Sequence, residues 1–491
     1  MKRRAKILAT IGPASSSETM LKRLLKAGAD NVRLNQSHGT PEEHREMVRR
    51  VRRVSMGLDR FVGIVVDLMG PRYRLDVMEE PRRLRRGEQI VFGVGDDVDV
   101  PIGDEDVLDH LKRGERVLVD NGLIELKVLR KRGTKLWAEV VQGGTVSSRK
   151  GINLPDSRLP FEISDKDRRD IAMAVEEKAD YVAASYVGSA ADVDAIRREI
   201  QACKGDQPII SKLERRQAVE NLDEIVQASD AVMVARGDLG VEVPLHEVPV
   251  IQKRIIEAGW RHARPVIVAT QMLESMMEHP RPTRAESSDV ANAVFDGADA
   301  LMLSGESAAG SFPVEAVATM DRIICEAESY LRTCAEEDSE GNSLGRRQFF
   351  DIEPPGNVEG TQEMPETISS AAVQSARQLG ARCIVALTAG GFTARMLACR
   401  RPSSPVIALT QKARTARRLQ LVWGIQAVAM KGDVAHHDEV VGLVDRHLLA
   451  AKVVKPGDRI AILMGDPIQE RPPTNLLRLH HVRRRPRKAK S

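Results

Sequence analysis

Eight short runs of β-branched and small apolar residues recur along the first two thirds of the chain, with polar residues gathered at their C-terminal ends. They are Lys6 to Thr10, Asn31 to Asn35, Val62 to Leu68, Asp180 to Ser185, Pro208 to Leu213, Asp230 to Ala235, Pro265 to Thr270 and Asp299 to Ser304. Amphipathic stretches separate most of them. Alternating strand and helix signals predict a parallel sheet, and eight units is the number that closes a (β/α)8 TIM barrel. The rhythm breaks between the third and fourth runs. Residues 71–156 carry Gly-punctuated, Val-rich alternation, as in Gln89-Ile-Val-Phe-Gly and Leu136-Trp-Ala-Glu-Val-Val. That pattern predicts a small β-barrel domain inserted after strand three. Active sites of TIM barrels lie on the loops following the strands, so such an insertion would hang over that face as a lid.

The catalytic barrel is thus expected from residues 1–70 and 157–335, interrupted by the lid at 71–156. A polar stretch at 336–362, including Pro354-Pro-Gly-Asn, reads as a linker. Beyond it, Ile384 to Leu387, Val406 to Leu409, Gln426 to Met430 and Arg459 to Leu463 alternate with helical segments, so 363–480 is expected to be a doubly wound α/β domain. No short internal repeat is evident. Six of the 74 basic residues crowd the last nine positions, within a tail at 481–491. Against 70 acidic residues, the remainder is therefore slightly acidic. The tail reads first as a solvated charged end, with binding of an anionic partner as the lesser alternative.

Composition excludes several functions. Aromatic residues are only 3%, too few for stacking bases, so no specific nucleic acid is expected. No apolar run is long enough to span a bilayer, and the charged start lacks an apolar segment, so neither a membrane nor secretion is expected. Five cysteines without a CxxC pair fit a reducing compartment, and the expected localisation is cytoplasmic.

The chemistry-bearing residues stand at the strand ends: Arg33 and Asn35, Asp67, Lys212 and Glu214, Arg236 and Asp238, Thr270, Ser304 and Glu306. Residues two apart on a strand share a face, so Arg33 with Asn35, and Lys212 with Glu214, can point into the barrel mouth together. Carboxylates from adjacent strands, Glu214 and Asp238, suit a hard divalent ion such as Mg²⁺. Lys212 and Arg33 would then meet anionic substrate oxygens, a mixture suited to phosphoryl transfer. Plainer readings stay open here. Lys212 and Glu214 could be an ion pair inside the barrel, Asp238 the cap of a turn, and Asn35 to Pro41 a helix entry in which His38 is structural.

Longer motifs carry a resemblance. Lys6-Ile-Leu-Ala-Thr-Ile-Gly-Pro-Ala-Ser, Val32-Arg-Leu-Asn-Gln-Ser-His-Gly, Ile210-Ser-Lys-Leu-Glu, Met233-Val-Ala-Arg-Gly-Asp-Leu-Gly-Val-Glu and Ala269-Thr-Gln-Met-Leu-Glu-Ser-Met are similar to motifs of the pyruvate kinase family. So is Pro282-Thr-Arg-Ala-Glu-Ser-Ser-Asp-Val, and the chain resembles that family over almost its whole length. The resemblance implies transfer of a phosphoryl group from phosphoenolpyruvate to ADP, giving pyruvate and ATP. It implies Glu214 and Asp238 as ligands of Mg²⁺ or Mn²⁺, with Arg33 and Lys212 at the phosphate. Arg236, Gly237 and Thr270 would hold the substrate carboxylate, and Thr270 with Ser304 would lie on the route that protonates the enolate. Asn35, His38, Arg74 and Lys166 match positions near the nucleotide phosphates. A homotetramer is implied as well.

Departures from the family pattern bear on two sites. Asn35, Ser37, Asp67 and the Leu68 carbonyl match the monovalent-cation ligands of potassium-requiring members, which carry Glu where this chain has Arg72. A guanidinium there would supply the positive charge that K⁺ otherwise brings, so activity without K⁺ is expected. Met69 replaces the usual Lys or Gln, and Gln36 the usual Phe. In the C-terminal domain, Thr388-Ala389-Gly390-Gly391-Phe392-Thr393 resembles the loop where family members bind a phosphorylated effector, such as a sugar phosphate. Ala389 and Gly390 stand in place of the usual basic or serine residues, so the effector is open and loss of allostery is one outcome; an ordinary strand-to-helix turn is the other reading. Two further readings of the whole chain are a lyase of the pyruvate-enolate aldolase type and a catalytically silent metabolite binder. ADP-dependent turnover separates the first, and substitution of Lys212 the second.

Overall fold

The computed structural model describes residues 3–71, 73–95, 97–103, 105–339, 349–350, 363–430, 437–466 and 472–483. Arg72, most of the linker and most of the basic tail lie outside the described residues.

Eight parallel strands close a barrel in chain order: Lys6–Thr10, Asn31–Asn35, Gly63–Asp67, Tyr181–Ala184, Ile209–Leu213, Ala231–Ala235, Val266–Ala269 and Ala300–Leu303. Two side-chain layers make it a solid core. Leu8, Val65, Ala183, Ile210, Met233, Ile267 and Met302 fill the interior, while the alternate residues, such as Ile7, Leu34, Val66 and Val232, pack under the surrounding helices. The helices are punctuated as their sequences dictate. Pro41–Gly57 opens on a capping box between Thr40 and Glu43, with proline in its first turn. Arg284–Asp296 uses Thr283 with Glu286 and stops at Gly297 in the left-handed region, φ 93°.

Most of the strands are shorter than expected by one or two residues, and one arrangement recurs around the barrel floor. Asp30, Asp180, Asp230 and Asp299 each stand just before an even-numbered strand. Each accepts a main-chain N–H from the preceding strand: Ile7, Ile64, Ile209 and Val266, at 2.9–3.0 Å. Each also pairs with arginine: Asp30 with Arg3, Asp180 with Arg52 and Arg417, Asp230 with Arg197, and Asp299 with Arg401. The four aspartates share the local pattern Ala-Asp or Ser-Asp, a repeat spaced by whole pairs of β/α units.

The expected small β-barrel takes the form of two sheets around one apolar core. Its six-stranded sheet runs Ile152–Asn153, Arg116–Val119, Ile124–Arg132, Lys135–Gln142, Gln89–Gly93, Val100–Pro101, and a two-stranded sheet pairs Arg82–Leu84 with Gly144–Val146. The C-terminal sheet is ordered Ile425–Ala429, Val406–Thr410, Cys383–Leu387, Arg459–Met464, Leu476–His481. Its last strand, antiparallel, was not expected.

This domain closes the barrel floor. Leu421, fully buried, joins the interior cluster, and the main-chain oxygens of Arg418 and Gln420 accept bonds from Tyr181 Oη and Asn31 Nδ2 at 2.8 Å. Arg401 lies over the rings of Trp423 and Trp260.

Candidate active site

At the opposite end the interior positions change character. Continuing the inward parity of Leu8, Val65, Ala183 and Ile210 by one step reaches Thr10, Asp67, Ser185 and Lys212, and a further step reaches Glu214. Arg33 joins them from strand two. These groups form one chain of contacts. Arg33 Nε donates to Asp67 Oδ2 at 2.5 Å, and its Nη1 to Thr10 Oγ1 at 3.1 Å. Lys212 Nζ lies 3.4 Å from Asp67 Oδ1 and 2.9 Å from Glu214 Oε1, and donates to Ser185 Oγ at 2.8 Å. Ser185 in turn donates to the Leu68 carbonyl at 2.8 Å, tying the cluster to the base of the lid.

The charges are unequally satisfied. Among the described residues, Asp67 Oδ1 and Glu214 Oε1 are buried and have no aligned hydrogen bond, only the neighbouring ammonium. Burial alone would raise Asp67, but the Lys212 and Arg33 charges outweigh it and hold its carboxyl below the ordinary value. Burial likewise works against the Lys212 ammonium, yet Asp67 and Glu214 keep its pKa above the ordinary value. Glu214 is pushed up to about 7, chiefly by burial and also by the charge of Asp238, with Lys212 opposing. Among the described residues Asp67 has two cations against it, Arg33 and Lys212, and Glu214 has Lys212 alone, so the deficit of positive charge lies on the Glu214 side. A divalent cation beside Asp238 would relieve that deficit, and the oxygen-rich donor set suits Mg²⁺ or Mn²⁺.

Asp238 stands in the first turn of the short helix Arg236–Glu242. The Arg236 side chain turns away to Asp289, at 2.6 and 2.7 Å, and donates to the Thr270 carbonyl at 2.8 Å. That contact holds Thr270 at φ 71°, unusual for a β-branched residue, where its Oγ1 accepts the Gly237 N–H at 2.7 Å. Ser304 follows strand eight and donates its N–H to Glu306 at 2.7 Å; among the described residues it has no hydrogen bond to Thr270. Glu306, which also accepts from Leu273 N, is a buried structural group.

The other expected residues surround this centre less tightly. Asn35 Oδ1 accepts the Ser37 N–H at 3.1 Å. The His38 carbonyl bonds a His44 ring nitrogen at 2.7 Å, Arg74 donates to the Arg149 carbonyl at 2.9 Å within the lid, and Lys166 pairs with Asp170 at 2.6 Å. Gln36 is fully buried with its Oε1 unpaired among the described residues, and nothing in the structure explains it or Met69. In the C-terminal domain, Thr388 Oγ1 accepts the Gly391 N–H at 2.8 Å, Thr415 donates to the Ala389 carbonyl at 2.7 Å, and the Thr393 hydroxyl meets that of Thr474 at 2.6 Å. Gly390 is exposed beside Phe392 at the helix entry.

Sequence reasoning did not single out Ser185, Tyr186, Thr10 or Asp289. Shared strand parity could have found Ser185 and Thr10. Asp289 lies in the motif Pro282 to Val290, but nothing in that motif pairs it with Arg236, which it reaches across 53 positions.

Comparison with known proteins bears on the chain as a whole. Residues 2–317 match the family model "Pyruvate kinase, barrel domain", and 366–480 match "Pyruvate kinase, alpha/beta domain". The chain is 39% identical to pyruvate kinase of Agrobacterium vitis over 98% of its own length and 97% of the relative's. To that of Geobacillus stearothermophilus it is also 39% identical, covering 98% and 81%. A crystal structure of a pyruvate kinase from Cryptosporidium parvum superposes with a TM-score of 0.86 at 32% identity, covering 98% of this chain and 96% of the other.

Proposed function

The chain belongs to the pyruvate kinase family, and from that premise we propose that it moves the phosphoryl group of phosphoenolpyruvate to ADP at the barrel mouth. Pyruvate and ATP are the products, and the reaction is the last step of glycolysis in the cytoplasm. The observation that carries this reading is the chain Arg33–Asp67–Lys212–Glu214, which ends in a buried carboxylate oxygen with the Lys212 ammonium beside it and no aligned hydrogen bond among the described residues.

Glu214 and Asp238 would hold Mg²⁺ or Mn²⁺, which supplies neutralisation of the phosphoryl and enolate oxygens. Asp67 fixes both cations of the site. Between it and Ser185, the Lys212 ammonium stays charged and aimed, ready to meet oxygens of the transferring group while charge shifts between them. Arg33, braced by Asp67 and Thr10, offers its remaining N–H groups to the same phosphate. Gly237 N–H and Thr270 Oγ1 now bond each other, and a substrate carboxylate would take the place of that bond. Thr270 and Ser304 belong to the proposed protonation route. Asn35, His38, Arg74 and Lys166 would face the nucleotide phosphates between barrel and lid.

The proposal extends to activity without K⁺, with Arg72 supplying the charge beside Asn35, Ser37, Asp67 and Leu68. It includes a homotetramer, and a sugar-phosphate effector at Thr388 to Thr393 weakened by the absence of a cation at Ala389 and Gly390. The test is pyruvate formation from phosphoenolpyruvate and ADP with Mg²⁺, in buffer free of sodium and potassium and again with KCl. ADP-dependent turnover in both is expected. Turnover only with KCl would remove the role given to Arg72, and none in either would remove the proposed activity.

A further inference from the structure

We infer that Tyr186 is a positioning residue for the divalent cation, orienting both carboxylates that would ligate it; the inference rests on the reading of Glu214 and Asp238 given above. Tyr186 follows strand four and touches the two from opposite ends. Its main-chain N–H donates to Glu214 Oε2 at 2.7 Å, and its phenol hydroxyl faces Asp238 Oδ1 at 3.5 Å.

The residue is held for this purpose at some cost. Its φ is 59°, a conformation that a bulky L residue keeps only where its surroundings over-determine it. Three contacts do so. The residue before it, Ser185, is bound between Lys212 Nζ and the Leu68 carbonyl, both at 2.8 Å. The Arg215 guanidinium lies over the ring, 5.4 Å from its centre. Gly70 presses from the base of the lid: a Cβ there would stand 2.8 Å from Ser185 Cβ and 3.3 Å from Tyr186 Cδ2. The left-handed turn at Tyr186 points the N–H at one carboxylate and sends the ring toward the other.

Hydrogen bonds to ligating carboxylates set their orientation, and losing one typically weakens metal binding by about 10–100-fold. The hydroxyl separation of 3.5 Å is long for an O–H donor, so its share belongs at the low end of that range. Tyr186→Phe removes the hydroxyl alone and keeps the ring, the Arg215 contact and the N–H.

The test is Mn²⁺ binding to the full chain without substrate, read from the electron paramagnetic resonance of free Mn²⁺. It compares the wild type with Tyr186→Phe, Glu214→Gln and Asp238→Asn. Tyr186→Phe should bind about tenfold more weakly at an unchanged thermal midpoint. In turnover the change should fall on the Mg²⁺ half-saturation and not on kcat at saturating Mg²⁺. Arg215→Met, which frees the ring while leaving both carboxylates untouched, should shift binding the same way by less. If Tyr186→Phe binds as the wild type does while Glu214→Gln and Asp238→Asn lose the ion, the positioning role is overturned and the cation site stands. If those two carboxylate variants also bind as the wild type does, the cation site itself is overturned.

Discussion

The two ends of the barrel are built from the same strands and both bury charge, yet they treat carboxylates in opposite ways. At the floor, both oxygens of Asp180 and of Asp299 are hydrogen-bonded. Asp180 takes Arg417, Arg52 and the Ile64 N–H, while Asp299 takes Arg401 and the N–H groups of Val266 and Trp423. Floor atoms left without a partner among the described residues include the donors Arg401 Nε and Trp423 Nε1 and one amide oxygen, Asn31 Oδ1, but no carboxylate oxygen. At the mouth the unsatisfied atoms Asp67 Oδ1 and Glu214 Oε1 are acceptors, gathered around one ammonium. A saturated carboxylate ties elements together; an unsaturated one waits for a cation or a cationic face of a complex. The floor is therefore read as the joint to the C-terminal domain, and the mouth as the place where chemistry is done.

That contrast breaks if floor and mouth variants fail alike. Arg401→Met strips Asp299 of its buried partner and should cost about 3–5 kcal/mol in denaturant unfolding, while the folded fraction keeps its turnover. Lys212→Met should lower kcat by about 10²–10³-fold, as loss of a group aimed at developing charge does, with a smaller change in unfolding. Equal stability losses from the two would erase the distinction.

Gly70→Ala sharpens the link between mouth and lid. The position has φ 69° and no room beside Ser185, so the change should cost about 1–3 kcal/mol and reduce turnover by displacing the support of Lys212. An unfolding curve and a kcat no different from the wild type would show that the loop adapts.

The smallest effect concerns Glu242, whose carboxylate accepts from Asn153 of the lid at 3.1 Å. Burial, aided by the charge of Asp238, holds its carboxyl above the ordinary value. The folded chain therefore keeps a proton that the unfolded chain releases, and stability falls as pH rises from the ordinary carboxylate value through the folded one. Glu242→Gln keeps an acceptor for Asn153 and removes this loss. It should melt slightly higher than the wild type above that window, with the gap closing as pH is lowered through it; a gap independent of pH would refute the assignment.

Much of this was legible in the sequence. The strand runs stood out because their interior and exterior faces are both apolar while their ends are not, and the parity of Arg33, Lys212 and Glu214 placed them at one mouth. The fourfold aspartate of the floor was legible too, but a two-residue signal spaced by whole pairs of units is easily lost. The strand Leu476–His481 lacked a signal because it is an edge strand that follows a Pro-rich stretch of sequence and carries Arg478 and exposed Leu479. Thr10 and Ser185 share the catalytic parity, though a single hydroxyl at a strand end has nothing to distinguish it. Tyr186 was out of reach for a different reason: its main-chain N–H and the positive φ that aims its hydroxyl at Asp238 are not written in side-chain type, and a lone tyrosine after a strand carries no signal of its own.

The most direct measurement of the central claim is the rate of pyruvate formation as Mg²⁺ is titrated into metal-free enzyme, for the wild type and Glu214→Gln. No turnover is expected before Mg²⁺ is added, then a saturable rise in the wild type, and for Glu214→Gln a half-saturation raised by about tenfold or more together with a lower maximal rate. Turnover that survives chelation, or a Glu214→Gln curve that overlays the wild type, would contradict that claim.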